Sequence, residues 1–386
     1  MDHSSGKLSS PLAIFVSSLT GRSYHATHPL PADTCVLDIA TPYAYTIYKQ
    51  FRNEVCAECW RYEGGRRNFL TCRDYGETAG LLFCDGNCRD TWLRREGETA
   101  VQCLKTVEAA RRRVVKGKAK AIDKPIPETV TDEQINQAWE DVKVGQMNPK
   151  VLKQWKNIQL DDFETDLARY VLMGLIHFLR ESDAPSVVME DKLCSHDSDS
   201  SSSVVSEEAT WQEFADLQPN ELHQVKKFPE LLENHTNIYK VLKSRFASTN
   251  SHERMANNEA DRVCGGSPKL GDLITVQNVR TALAVDPGNS FGIWEMPVTD
   301  ESEGLGFAVY PVPSFFNHHC MPNIRKERKE RRLRFLTIRD VTAGEQLCIS
   351  YGHVESLGVL ERRKELKDGW FFECQCSRCI SEAKQD

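Results

Sequence analysis

Four cysteines fall in two close pairs, Cys56-x2-Cys59 and Cys84-x3-Cys88, and three more crowd into Cys374-x-Cys376-x2-Cys379. Thiols spaced this way constrain the fold more than any hydrophobic pattern does, because each group must converge to hold an ion. The chain has 14 cysteines, and its opening MDHSSGKLSS lacks the charged-then-apolar layout of a secretory signal. That combination is expected of a reducing compartment, where clustered cysteines bind metal more often than they pair. Two pairs 24 residues apart can close a tetrahedron around Zn2+, so Cys56, Cys59, Cys84 and Cys88 are assigned a structural zinc. Unpaired core cysteines would leave the recurrence of close pairs unexplained. Cys72 and Cys103 are left over; no histidine lies between residues 29 and 176, so a second ion there would need Asp74 or Asp85 and is not expected.

The C-terminal group offers three ligands where a structural zinc takes four. The best source of the fourth is Cys320 in SFFNHHCMPNI, residues 314–324, a polar cluster too dense for an ordinary strand or helix. Cys348, inside the strand-like LCISY, reads as a core residue instead.

Around these clusters the pattern alternates between short strands and helices. Residues 11–50 carry brief apolar alternations bounded by Gly and Pro, as strands do. From 131 the pattern turns helical: Thr131 with Gln134 forms a capping-box signature ahead of Ala138, Trp139 and Val142. The stretch from Asp161 predicts a second helix, capped by Asp161 or Asp162, with an apolar face through Phe163, Leu167, Val171, Leu175 and Phe178; His177 within it reads as a core or boundary residue. Further helices are expected over 228–246 and 275–286, and strands over NSFGIW, RLRFLTIRDV and EQLCISYG. The acidic, serine-rich 195–208 cannot bury enough apolar surface to fold, and 247–270 reads as another loop holding Cys264. Strands, cysteines, helices, strands and cysteines in that order describe a β domain interrupted by insertions. The net charge, 49 − 56 = −7, provides no global basic field for nucleic acid. The basic 105–125 reads as a helix end plus linker, and RKERKERR at 325–332 alternates in sign as an exposed hairpin does, so nucleic acid is not an expected partner. The apolar run VLMGLIHFL is too short to span a bilayer.

Taken in order, several motifs resemble one family. NHHCMPN is similar to the NHSCxPN signature of SET-domain protein methyltransferases, GEQLCISYG at 344–352 to their GEELxxxYG, and CQCSRC to the post-SET CxCxxC. TGRSYHA at 20–26 resembles the N-terminal cofactor loop, and the first cysteine cluster resembles a MYND finger in which the first and third pairs share an ion. Trp92 falls where such fingers carry an aromatic, while the second MYND site is reduced to Cys72 and Cys103. A SET domain interrupted by a MYND finger is the SMYD arrangement. The resemblance implies an α+β chain: a SET-type β fold interrupted by a MYND-like zinc finger and a helical insertion, with a zinc-bound post-SET tail. The parts would be 11–50 and 271–356 for SET, 51–104 for the finger, 105–270 for the insertion with loops at 181–210 and 247–270, and 357–386 for the tail.

The same resemblance implies an S-adenosylmethionine-dependent protein-lysine N-methyltransferase with two zinc ions, acting as a monomer on histone or other proteins in nucleus or cytoplasm. Asn317 and His318 would hold the cofactor, His318 largely through its backbone, and Tyr351 would stand at the transfer site. Phe372 would stack near the adenine, and Arg22 and Asn289 would contact the amino-acid end or ribose. Phe315, Phe316 and Trp370 read as packing. The sequence departs from the family at Ser23 in the GxG-type loop, at His319 in place of serine, and at Gln346 in place of glutamate. The first two of those departures and the reduced finger support the alternative, a SET-fold zinc scaffold for protein contacts with weak or no turnover.

Overall fold

A computed structural model describes residues 10–17, 21–65, 77–112, 128–183, 209–246, 269–299, 301–352 and 354–384. Cys72, Cys264, the acidic 195–208 and most of the basic 105–125 lie outside them. The chain divides into two compact units, one drawn from Met1–Pro42 and Tyr310–Asp386, the other from Tyr43–Glu190 and Thr210–Val309.

The first unit is built from small sheets. Strands β1 (Leu12–Ser17) and β2 (Gly21–Ala26) pair as an antiparallel hairpin. Strand β3 (Cys35–Ile39) lies beside β9 (Arg332–Thr337), which pairs in turn with β8 (Ile324–Lys329), all antiparallel. The expected charged hairpin is β8–β9, and its arginines are engaged by acids: Arg325 with Asp33 at 2.7 Å and Glu327 at 3.0 Å, Arg332 with Asp38 at 2.5 Å. Two short strands, β7 (Asn317–His318) and β10 (Cys348–Ile349), run parallel, placing Asn317 beside Cys348 and His318 beside Ile349. The tail adds helices α10 (Val359–Trp370) and α11 (Ser377–Glu382). Helix α10 stops at Phe371, a non-glycine residue in the left-handed region (φ 62°), which reverses the chain toward the cysteines that follow.

The second unit joins a three-stranded antiparallel sheet to a set of helices. The sheet has the order β4 (Ala44–Ile47), β6 (Gly304–Val309), β5 (Ser290–Trp294). Its helices are α1 (Gly86–Glu108), α2 (Asp132–Gly145), α3 (Pro149–Trp155), α4 (Asp162–Asp183), α5 (Trp211–Ala215), α6 (Glu221–Lys227), α7 (Leu231–Phe246), α8 (Leu270–Leu273) and α9 (Val276–Asn289). The capping signatures form as read: Gln134 N–H donates to Thr131 Oγ1 and Thr131 N–H to Gln134 Oε1, while Asp161 and Glu164 make the same reciprocal pair at 2.8 Å each.

Helix α4 departs from its predicted amphipathic face. Every position from Glu164 to Ile176 is buried, whereas Phe163 in the first turn is 47% exposed. The helix is packed by β4 on one side and by α1, α7 and α9 elsewhere, so it has no solvent face to keep polar. Polar side chains in that run find partners instead. Asp166 and Glu108 take the buried Arg52 between them, and Arg169 donates to Glu108 at 2.9 Å and to the Ala79 carbonyl at 2.6 Å. A buried charge stripped of its partner costs about 3–5 kcal/mol. Arg52→Met is therefore expected to destabilise this unit by about that amount, measured by urea unfolding followed through tryptophan emission.

Candidate active site and metal centres

Two groups of four cysteines bring their sulfurs within 4.8 Å of one another: Cys56, Cys59, Cys84 and Cys88, and Cys320, Cys374, Cys376 and Cys379. A tetrahedron of thiolates about 2.3 Å from a zinc ion has edges of about 3.8 Å. The observed sulfur separations include 3.8 Å for Cys59–Cys84, 3.3 Å for Cys84–Cys88, 3.8 Å for Cys320–Cys374 and 3.5 Å for Cys320–Cys379. These are far beyond the ~2.05 Å of a disulfide and close to the edges of a metal tetrahedron. Burial first, with the neighbouring sulfurs adding to it, pushes the Cys320 thiol up and the Cys374 thiol up to about 12. Thiols that resist sharing negative charge at such distances become compatible once a divalent cation sits among them.

In the first centre, Asp85 caps α1 by accepting from Cys88 N–H at 2.8 Å, and Cys56 Sγ accepts from Cys84 N–H at 3.4 Å. Trp92, fully buried one turn further on, donates its indole N–H to the Tyr45 hydroxyl at 2.8 Å. Cys103 is buried in α1 outside the group.

The second centre anchors the residues singled out in the opening motif. Tyr351 N–H donates to His318 Nδ1 at 3.2 Å, so the ring proton is on Nε2, which faces Cys320 Sγ at 3.2 Å. Neither nitrogen keeps a lone pair for a substrate proton. Burial, followed by His319, lowers the imidazole to about 4, so the ring is neutral. Tyr351 donates its hydroxyl to the Phe316 carbonyl at 3.0 Å, and burial raises the phenol well above its ordinary value, so it stays protonated. Its ring lies 5.8 Å from Trp370 and 6.1 Å, edge to face, from Phe372, whose ring is also 6.1 Å from His318. These aromatics pack on a core formed by Cys320, Val354, Val359, Leu366, Cys374 and Cys379. Asn317 precedes them in β7, half-buried.

Arg22, in β2, lays its guanidinium over the Phe315 ring at 4.3 Å, and Phe316 is fully buried, stacked on Phe335 at 4.8 Å. Asn289 belongs to the other unit, where its amide donates to the carbonyls of Gln218 and Val285 at 2.9 and 2.7 Å. Two of the three departures, Ser23 and His319, have local side-chain partners. Ser23 lies in a regular strand with its hydroxyl 3.2 Å from His25 Nε2. His319 accepts from Met321 N–H at 2.9 Å and thus presents its other N–H to Ser377 Oγ at 3.1 Å, joining the motif turn to the tail.

A SET domain model matches residues 21–352, most of the chain. The chain belongs to the SET domain family. It is 27% identical over 390 residues to the potential protein lysine methyltransferase SET6 of Saccharomyces cerevisiae, covering 94% of this chain and 93% of that one. A SET and MYND domain-containing protein of Dictyostelium discoideum is 38% identical over 95 residues, 25% of this chain and 23% of its own. Histone-lysine N-methyltransferase SMYD3 of Mus musculus is 37% identical over 84 residues, 22% and 19% respectively. The two cysteine groups fit the finger and the post-SET tail of this SET fold.

Sequence reasoning passed over the residues that hold the SET motifs together. Asn323, the second asparagine of NHHCMPN, is buried and donates to Glu345 Oε1 at 3.0 Å and the Gln346 carbonyl at 2.8 Å, while its Oδ1 accepts from Cys348 N–H at 2.8 Å. Arg378 donates to the carbonyls of Cys320 and Glu355 at 3.1 and 2.8 Å. Both asparagine and glutamate stand inside the quoted motifs, but nothing in one sequence says that they bond each other.

Glu345 also supplies a pH signature. Its hydrogen bond from Arg339, helped by Thr342 N–H and Asn323, lowers its carboxyl from 4.5 to about 2. A depressed folded-state value stabilises the native chain above the unfolded value, and that contribution is lost as pH falls toward the folded one. The stability difference between the native chain and Glu345→Gln should hold steady above pH 4.5 and close between 4.5 and about 2, read as urea midpoints; a difference unchanged across that window would contradict the ion pair.

Proposed function

We propose that this chain is a protein-lysine N-methyltransferase that uses S-adenosylmethionine, with zinc in both cysteine groups. The observation that carries the reading is the gathering of Asn317, His318, Tyr351 and Phe372 around a turn tied to the tail by Cys320. Names of relatives support it, since several are protein-lysine or histone-lysine methyltransferases. S-adenosylmethionine, when bound, supplies an electrophilic methyl group. Asn317 and His318 would hold it, Phe372 would face its adenine, and Arg22 would reach its amino-acid end or ribose; Asn289, expected to join them, has its amide spent on the Gln218 and Val285 carbonyls of the other unit.

The chemistry asks little of a base. A free lysine ammonium has a pKa near ~10.4, and an apolar channel that strips its water lowers that value and yields neutral amine. Holding the amine in line with the methyl group accounts for much of the remaining barrier. Tyr351 suits such a site. Its proton is committed to the Phe316 carbonyl, so the oxygen lone pairs are what it has to offer an electron-poor methyl or ammonium. The zinc ions would be structural, one ordering the finger and one fixing the tail. The proposed partition is the SET fold in two segments around a MYND-like finger and a helical insertion. We place the enzyme in nucleus or cytoplasm as a monomer acting on histone or other proteins; among the described residues no helix is long and apolar enough to cross a membrane.

Incubating a protein extract with labelled S-adenosylmethionine and the intact chain should label a defined band. Tyr351→Phe should lower that rate by about 10²-fold, the typical cost of deleting one positioned polar group. Absence of labelling, with no cofactor binding by calorimetry, would instead favour the scaffold. Cys374→Ser should reduce bound zinc from two ions per chain to one and take cofactor affinity with it; two ions retained with wild-type affinity would contradict the assignment.

A further inference from the structure

Arg362 is the most deeply buried cation of the tail, its side chain without solvent exposure. It lies on α10, one turn after the helix begins, on the buried face that it shares with Val359 and Leu366. A guanidinium removed from water must be compensated or it is strongly destabilising. Nη1 donates to the Leu357 carbonyl at 2.5 Å, and Nη2 donates to Glu382 at 2.5 Å and faces Cys379 Sγ at 3.6 Å. Nε, also buried, has no hydrogen-bond partner. Glu382 is only a partial counter-ion. Its side chain is 36% exposed and it is shared with Arg378, whose Nε lies 2.7 Å away.

The remaining compensation comes from the sulfur side. Four thiolates around one divalent ion carry a net charge of about −2, and here Cys320, Cys374 and Cys379 are all buried. A complex of that charge in a dry site needs cations or N–H groups directed at its sulfurs. Arg362, with Nη2 facing Cys379 Sγ, is placed to supply one.

We propose that Arg362 is a positioning residue for the tail metal centre: its guanidinium offsets the negative charge of the four-thiolate complex and sets how firmly the ion is held. The inference rests on reading the second cysteine group as a zinc site. It concerns ion retention in the free enzyme, so it can be tested without turnover.

The experiment is zinc release to a chromogenic chelator from full-length wild type, Arg362→Met and Arg362→Lys. Alkylation of the 374–379 peptide by mass spectrometry tells the tail ion from the finger ion. Outer-shell partners are typically worth about 10–100-fold in metal affinity. Arg362→Met should release the tail ion about 10-fold faster or more, with the finger ion unchanged, and Arg362→Lys should stay within about threefold of wild type because the charge remains. Equal tail-ion release from wild type and Arg362→Met would overturn the proposal. So would equally fast release from both variants, which would point to space-filling rather than charge. If the methionine variant does not fold, the lysine variant decides: release within threefold of wild type supports the proposal, and a 10-fold or greater acceleration overturns it. A wild-type chain lacking the tail ion overturns the zinc reading beneath it, an outcome visible before any variant is made.

Discussion

The convergence of Cys320 with three thiols more than fifty residues downstream is the contact on which the first unit depends. Bringing those ends together closes a long loop, and the entropy lost grows only slowly with its length. An ion bound by four ligands can offset that loss because its binding free energy is also folding free energy. What the closure secures is an aromatic surface: Phe372 and Trp370 come to Tyr351 only because the chain between α10 and the cysteines is held there. The left-handed turn at Phe371 is the local strain that this placement requires.

A second layer of polar contacts makes the turn rigid. Asn323 spends three side-chain hydrogen bonds on Glu345, Gln346 and Cys348, the segment just ahead of Tyr351, and His318 links the Tyr351 backbone to Cys320 Sγ. Asn323 is buried, His318 and Tyr351 half-buried, and each has its hydrogen-bond partners, the condition under which polar interiors specify one geometry rather than several. Tyr351 therefore takes its position from the backbone as much as from its ring. The metal group, the asparagine staple and the phenol form one continuous set of contacts.

Much of this was legible because the residues that carry it have few alternatives. Cysteine pairs announce a metal geometry, and three ligands in a tail demand a fourth, which Cys320 supplies. The capping box at Thr131, and Asp161 or Asp162 as the cap of the next helix, could be read because such contacts are local; the reciprocal pair with Glu164 selects Asp161. Helix α4 shows where locality ends. Its periodicity implied one buried face, but a helix enclosed by a sheet and several helices is buried at every position from Glu164 to Ile176, while Phe163 in its first turn is exposed. Arg362 was legible only in part. In VLERRKELKDGW it falls on the face of Val359 and Leu366, but an arginine is expected to reach for water, and its full burial depends on a sulfur that the fold brings from another segment.

The order of the ligands along the chain has a consequence for biosynthesis. Cys320 leaves the ribosome 54 residues ahead of Cys374. At about 5–20 residues per second its thiol waits some seconds before a partner exists. During that interval the finger, whose four sulfurs all lie within residues 56–88, can already be complete. Zinc in both groups, as proposed above, would thus be taken up in a set sequence, residues 56–88 before the tail.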